Sequence, residues 1–322
     1  MLTFISLTCV AARTPAPYPV VVGHEIVGRI VRVGAHAVGG HKVGDRVGVG
    51  CLSDCCLSLR SRRPCERCAE GRENYCKKAR WTYLSPHHNG DKSHGGYATY
   101  HRTPGRFAFK IPEALESKHA ATMMCAGITM FSPLKQNGCG PGKKVGIVGL
   151  GGLGHYGVIL AKAMGADKVV AISRRNAKRE EALAMGADDY LASEDDKDWV
   201  KKYRGSLDLV IATVASAKAP TGAYMKLLKF GGTLVQVGNP DDGNFMIPPN
   251  PLQMSRLNFS GSVIGSATEM VEMLQLAADK GVKPWVQEVP MEEANRALLG
   301  LEDGKPRYRY CLVNGEKARA AL

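Results

Sequence analysis

Cys65-Glu-Arg-Cys68, followed by Cys76, places three thiols at spacings that can converge on one tetrahedral ion. Cys51, Cys55 and Cys56 compete for the fourth position. A site closed by four thiolates leaves no open coordination position, so it staples a loop and does no chemistry. A second kind of chemistry is written in Val145-Gly-Ile-Val-Gly149-Leu150-Gly151-Gly152-Leu153-Gly154, an apolar run entering a Gly-x-Gly-x-x-Gly turn. Gly149 permits a tight turn, Gly151 lets the backbone approach a pyrophosphate, and Gly154 lets a helix pack close to a strand. The N–H groups that open such a helix favour phosphate.

The next apolar run, Val169-Val-Ala-Ile172, ends in Ser173-Arg174-Arg175 with Lys178 beyond. A carboxylate here would bind the 2′-hydroxyl of NAD. A hydroxyl and cations instead suit a 2′-phosphate, which arginine grips through its planar fork. The expected cofactor is NADP(H). His24-Glu25 and Cys125 also have metal-binding side chains, but their spacing alone does not separate them from ordinary buried polarity and packing.

These residues need two kinds of scaffold. Residues 20 to about 110 carry short β-branched runs broken by Gly, Pro and Asp (Val20–Val22, Ile26–Val33, Arg46–Val49), the punctuation of a small barrel or sandwich. From about Lys143 to Val263, strands alternate with helices. Strands are expected at Lys144–Val148, Lys168–Ile172, Leu207–Thr213, Thr233–Val237 and Leu257–Ile264, and helices around Leu153–Met164, Asn176–Met185 and Ala219–Leu228. Gly165, Gly186 and Gly231 fall where the helices should stop. This series predicts an α/β fold, a Rossmann doubly wound parallel sheet. A helix at Thr268–Lys280 and a strand at Tyr308–Val313 follow.

The chain has 322 residues, 44% hydrophobic and 23% charged, enough for two ordinary cores. No apolar run approaches the ~20 residues that span a bilayer. The net charge of +13 raises nucleic acid as a partner, but the basic residues are scattered and no nucleic-acid-binding signature accompanies them, so none is expected. Ten cysteines, six of them between Cys51 and Cys76, point to metal binding in a reducing compartment, and a cytoplasmic location is expected. Residues 1–12 have the apolar character of a short signal peptide without its basic start.

Together these segments resemble the zinc-containing medium-chain alcohol dehydrogenases, above all the NADP-dependent cinnamyl-alcohol-dehydrogenase branch. The matching text runs through Tyr18-Pro-Val-Val-Val-Gly-His-Glu-Ile26, Lys42-Val-Gly-Asp-Arg-Val-Gly-Val49, Gly71-Arg-Glu-Asn-Tyr-Cys76, His94-Gly-Gly-Tyr-Ala98, Asn137-Gly-Cys-Gly-Pro-Gly-Lys143 and Val145 to Gly165. The resemblance implies a β-rich GroES-like catalytic domain over 1–125 with a structural zinc lobe at about 51–80. It implies an NADP-binding domain over 126–265 and a return to the catalytic domain over 266–322. It implies a catalytic zinc on His24, Cys125 and Glu25, acting as a Lewis acid on an alcohol or aldehyde. Thr129, Thr213, Gly238, Ser262, Val263 and Ile264 would contact the cofactor. The cysteine cluster matches the structural zinc lobe, and a homodimer is a further implication.

Two departures stand out. The family's Cys-Gly-x-Cys-Gly-Ser/Thr-Asp motif, which supplies a first zinc ligand, is not found, and Cys9 lies in a different context. The expectation is therefore that the N-terminal segment is lacking, the catalytic domain incomplete and its sheet edges left open. Leu57 to Arg63 also reads as an insertion, which makes Cys56 the displaced first ligand of the lobe and Cys55 the second choice. The alternative function is a catalytically impaired NADP(H)-binding relic of the family.

Overall fold

The computed structural model describes residues 4–6, 18–59, 63–240 and 242–315. The backbone divides into two units, Met1–Ile128 with Ile264–Leu322, and Thr129–Val263. In chain order the strands are β1 (Phe4–Ser6), β2 (Ile26–Arg29), β3 (Arg46–Val49), β4 (Leu52–Asp54), β5 (Arg80–Trp81), β6 (Phe109–Lys110), β7 (Lys144–Val148), β8 (Lys168–Ser173), β9 (Asp189–Ala192), β10 (Leu207–Ala212), β11 (Leu228–Gln236), β12 (Asn258–Gly261), β13 (Val286–Pro290) and β14 (Arg309–Val313).

The first unit is built on a mixed sheet in the order β13-β14-β1-β2-β3-β6, with β4 and β5 forming a small separate ladder. The expectation of a lacking N-terminal segment and open edges is corrected here. β1 pairs antiparallel with β14 (Ile5↔Leu312) and with β2 (Ile5↔Ile26), so the ladder groups of both neighbours are satisfied where an opening was expected. Residues 4–6, first read within a leader-like stretch, are thus a strand inside the sheet. Cys9 lies outside the described residues.

Two β-branched runs are shorter than expected. The strand expected to reach Val33 ends at Arg29, and beyond it Val31 and Val33 are exposed. Val20–Val22 is not a regular strand. Its backbone instead holds the His94–Ala98 segment, with Gly95 N–H donating to Val21 O and Tyr97 N–H to Val22 O. One face of the sheet closes against the segment Ser117–Gly127. A Cβ on Gly48 of β3 would lie 2.3 Å from Met124 Sδ, so a larger residue there would require the Met124 side chain to shift.

The second unit is a parallel six-stranded sheet in the order β12-β11-β10-β7-β8-β9, the doubly wound order of a dinucleotide-binding domain. Its central strands β7, β8 and β10 are apolar and buried, whereas β12 at the edge is mostly exposed. Val145, Val169, Val170, Ala171, Val210 and Ile211 are all fully buried. Helices Gly154–Ala163 and Arg179–Ala184 end near Gly165 (φ +85°) and Gly186 (φ +101°), in the conformation that glycine adopts without steric cost. Gly231 does not stop a helix. The helix Thr221–Met225 ends earlier, and Gly231 lies within β11, its N–H bonded to Ser255 O. Among the described residues no helix is long and apolar enough to cross a membrane.

Candidate metal and cofactor sites

In the first unit, the Sγ atoms of Cys56, Cys65, Cys68 and Cys76 all lie within 4.8 Å of one another. The Cys65–Cys76 separation is 3.8 Å. With Zn–S bonds near 2.3 Å, the edge of a ZnS₄ tetrahedron is about 3.8 Å, so the cluster has the size of a zinc cage. Cys68 rides on the short helix Glu66–Ala69 and Cys76 follows the turn Glu73–Tyr75. Backbone N–H groups of Cys65 and Lys78 donate to the sulfurs of Cys56 and Cys76 at 3.3 Å, the outer-shell bonds that fix thiolates for a metal. Among the three cysteines that compete for the fourth place, Cys56 joins the cluster and Cys55 is buried outside it. The Cys65 thiol is lowered to about 7, first by the Cys68 backbone N–H and further by the neighbouring thiols. Glu73, itself buried, accepts a 2.5 Å hydrogen bond from Ala267 N–H and so ties the lobe to the helix Ala267–Asp279.

A second cluster forms in the same unit. Donor atoms of His24, Cys51 and Cys125 lie within 4.8 Å of one another. His24 precedes β2 and is 2% exposed, with its ring stacked on Tyr83 at 5.9 Å between centroids. Its backbone is held by Gly96 N–H donating to Gly23 O, and by an approach at Gly95 that a Cβ would block at 2.3 Å from Val22. Cys125 sits in a π-helical turn, Met123–Gly127, between the helices Ser117–Thr122 and Ile128–Gln136. Such turns concentrate at functional sites because they displace one side chain from the helical path. Hydrogen bonding from Cys51, and beyond it the charge and hydrogen bond of His24, hold the Cys125 thiol well below its ordinary value despite burial. His24 is raised: burial opposes its charge, but Cys125 outweighs it.

Glu25 takes a different place. One carboxylate oxygen receives Arg309 Nη2 at 2.5 Å and the other accepts from Ala126 N–H at 3.0 Å. Both side chains are buried, at 0% and 6% exposure. Arg309 carried no signal in the sequence, since its partner lies at the opposite end of the unit's chain path.

The glycine turn lies in the second unit. Gly149 has φ +89°, and a Cβ there would meet Thr213 Oγ1 at 2.6 Å. A Cβ on Gly154 would fall 1.7 Å from Gly149 O, whereas one on Gly151 would meet no protein atom within 4 Å. Two of the glycines therefore serve the fold and Gly151 leaves an open cradle, which fits a pyrophosphate. The Thr213 hydroxyl donates to Val148 O and Gly149 O at 2.8 and 3.0 Å, and Lys178 Nζ to Leu150 O at 2.7 Å, so both brace the turn. Gly152 and Leu153 lead into the helix Gly154–Ala163. Ser173 closes β8 and Arg174 is exposed just beyond it. Gly238 packs where a Cβ would lie 2.4 Å from Val214 O, and Gln236 Nε2, which sequence reading missed, bridges Val214 O and Gly238 O. The Ser262 hydroxyl is buried with no hydrogen-bond partner among the described residues, and Val263 beside it is exposed. Ile264, in the first unit, has φ +39°, a strained value for a β-branched residue. Thr129 is buried near the start of Ile128–Gln136.

Comparison with known proteins matches residues 5–113 to the alcohol dehydrogenase GroES-like domain and residues 152–279 to the zinc-binding dehydrogenase family. NADP-dependent alcohol dehydrogenase 6 of Saccharomyces cerevisiae is 43% identical over 302 residues, 93% of this chain and 82% of that protein. A probable cinnamyl alcohol dehydrogenase of Arabidopsis thaliana is 42% identical over 297 residues, 92% of this chain and 79% of that protein. The structure of a cinnamyl alcohol dehydrogenase from Sorghum bicolor superposes with a TM-score of 0.88 at 36% identity, covering 97% of this chain and 88% of that one. The match from residue 5 overturns the expectation that the N-terminal segment of the catalytic domain is lacking. The chain belongs to the zinc-containing medium-chain alcohol dehydrogenase family, in its cinnamyl-type branch, with its GroES-like domain present.

Proposed function

We propose that this protein interconverts primary alcohols and aldehydes, of the cinnamyl or medium-chain kind, using NADP(H) in a cytoplasmic setting. The observation that carries the reading is the convergence of His24 and Cys125 in the first unit, beside a buried carboxylate–guanidinium pair. A zinc ion held there would supply Lewis acidity toward a carbonyl or alkoxide oxygen, and NADP(H) would supply or accept the hydride.

The protein's own groups do the rest. His24 and Cys125 hold the metal, while Arg309 and Ala126 N–H keep the Glu25 carboxylate oriented beside it. The turn from Gly149 through Leu150, Gly151, Gly152 and Leu153 to Gly154 binds the pyrophosphate. Ser173, Arg174 and Lys178 would offer the 2′-phosphate a hydroxyl and two cations. Thr129, Thr213, Gly238, Ser262, Val263 and Ile264 line the remainder of the cofactor. Cys56, Cys65, Cys68 and Cys76 hold a second zinc that braces their loop and takes no part in the reaction.

The test is zinc per chain by elemental analysis, with NADPH-dependent cinnamaldehyde reduction followed on the same sample. Two zinc ions with turnover support the reading. One or none, with NADPH bound but not oxidised, overturns it.

A further inference from the structure

We infer that Cys51 is the third protein ligand of the metal held by His24 and Cys125. The inference rests on the functional reading above and adds the residue that completes its metal centre.

Cys51 follows β3 and precedes β4, and its sulfur lies within 4.8 Å of both the Cys125 sulfur and a His24 ring nitrogen. With Zn–S near 2.3 Å and Zn–N near 2.0 Å, the edges of a Cys₂His tetrahedron are about 3.5–3.8 Å, so the three donors need only small side-chain adjustments. A His₁Cys₂ set leaves a fourth position open for substrate oxygen, as alcohol dehydrogenases in general require.

The backbone around Cys51 is built for the approach. A Cβ on Gly50 would lie 2.6 Å from Met124 O, so the glycine lets the chain pass against the turn that carries Cys125. Thr82 then grips Cys51 from both sides. Its hydroxyl donates to Gly50 O at 2.8 Å in a buried bond, and its N–H donates to Cys51 O at 2.8 Å. The carboxylate of Glu25 is a weaker claimant to the third place, because both of its oxygens already accept hydrogen bonds from Arg309 and Ala126. Metal binding would release one proton from each cysteine thiol, while His24 binds as the neutral ring.

The experiment uses the full chain and its Cys51→Ala, Cys51→Ser and Cys9→Ser variants. Zinc per chain is measured first. Cobalt is then exchanged into the His24 centre with zinc kept in the four-cysteine lobe, and the thiolate-to-cobalt absorption band is recorded. Retention of the lobe zinc and an unchanged circular dichroism spectrum show that each variant is folded. We expect two zinc ions in the parent. In both Cys51 variants the affinity of the second site should fall by about 100-fold or more, beyond the loss seen for outer-shell residues. At saturating cobalt the band should drop to about half, since one of two thiolates is gone. Cys9→Ser should change neither quantity. An unchanged band and affinity in Cys51→Ala, or loss of the metal in Cys9→Ser instead, overturns the Cys51 assignment and leaves the functional reading standing. A parent chain that holds zinc only in the lobe overturns both.

Discussion

Replacing Arg309 with methionine would leave the Glu25 carboxylate buried without its counter-charge. At 2.5 Å the gross attraction is about 7 kcal/mol at an effective dielectric of about 20. Against it stands a desolvation penalty of several kcal/mol for each ion, because the side chains are only 0% and 6% exposed. These terms nearly cancel while the pair is intact. Removing one partner deletes the attraction and keeps the other ion's penalty, so Arg309→Met should cost about 3–5 kcal/mol. For a unit of this size that corresponds to a fall in Tm of about 6–20 °C. The double variant Glu25→Gln/Arg309→Met should recover most of the loss, since glutamine is neutral and still offers an acceptor to Ala126 N–H. Urea denaturation of the parent, both single variants and the double variant, all at matched zinc, gives the coupling directly. A loss below about 1 kcal/mol for Arg309→Met, or additive single and double effects, would refute the argument that Glu25 is held as a buried ion.

Arg174→Ala removes a charge-assisted contact worth about 1.5–3 kcal/mol, so NADPH should bind about 10- to 150-fold more weakly and NADH almost unchanged by titration calorimetry. Equal losses for the two cofactors would refute the 2′-phosphate assignment. Gly151→Ala should fold normally yet lose NADPH affinity, because its methyl would enter open space, while Gly154→Ala should lower Tm itself by crowding Gly149 O. The reverse pattern in paired melting and binding curves would contradict the roles given to these glycines. Burial depresses His101 to about 4, so the unfolded chain binds more protons between pH 6.5 and about 4. Stability is therefore lost as pH falls through that window, by at most about 2–3 kcal/mol for this half-buried side chain, and His101→Gln should flatten this part of the pH profile. An unchanged slope in denaturation curves at pH 7 and pH 5 would show that His101 is not buried neutral.

Local chemistry made much of this molecule legible in the sequence. β7 begins and ends as its β-branched pattern predicts, and the glycines at 149, 151 and 154 follow from turn geometry that is fixed within a few bonds. The spacing of Cys65, Cys68 and Cys76 likewise needs only one loop to bring the thiols together. β9 and β13 were missed because short, half-polar runs have no strong period, and their place is set by the neighbours they pair with. The same limit explains β1: Phe4–Ser6 reads as an apolar leader until β2 and β14, far along the chain, offer it hydrogen bonds on both sides.

The second candidate metal site belongs wholly to tertiary structure. His24, Cys51 and Cys125 lie on three separated segments, and no spacing rule links them. They meet because Gly50 lets the exit of β3 close against the Met123–Gly127 turn, and because Thr82 pins the exit in place. The Glu25–Arg309 pair depends in the same way on the chain's return through β14 beside β1 and β2. The sequence determined what chemistry was present and which turns it would form. Long-range packing decided which donors share a site, because a ligand set is defined by distances between segments that only the folded core brings together.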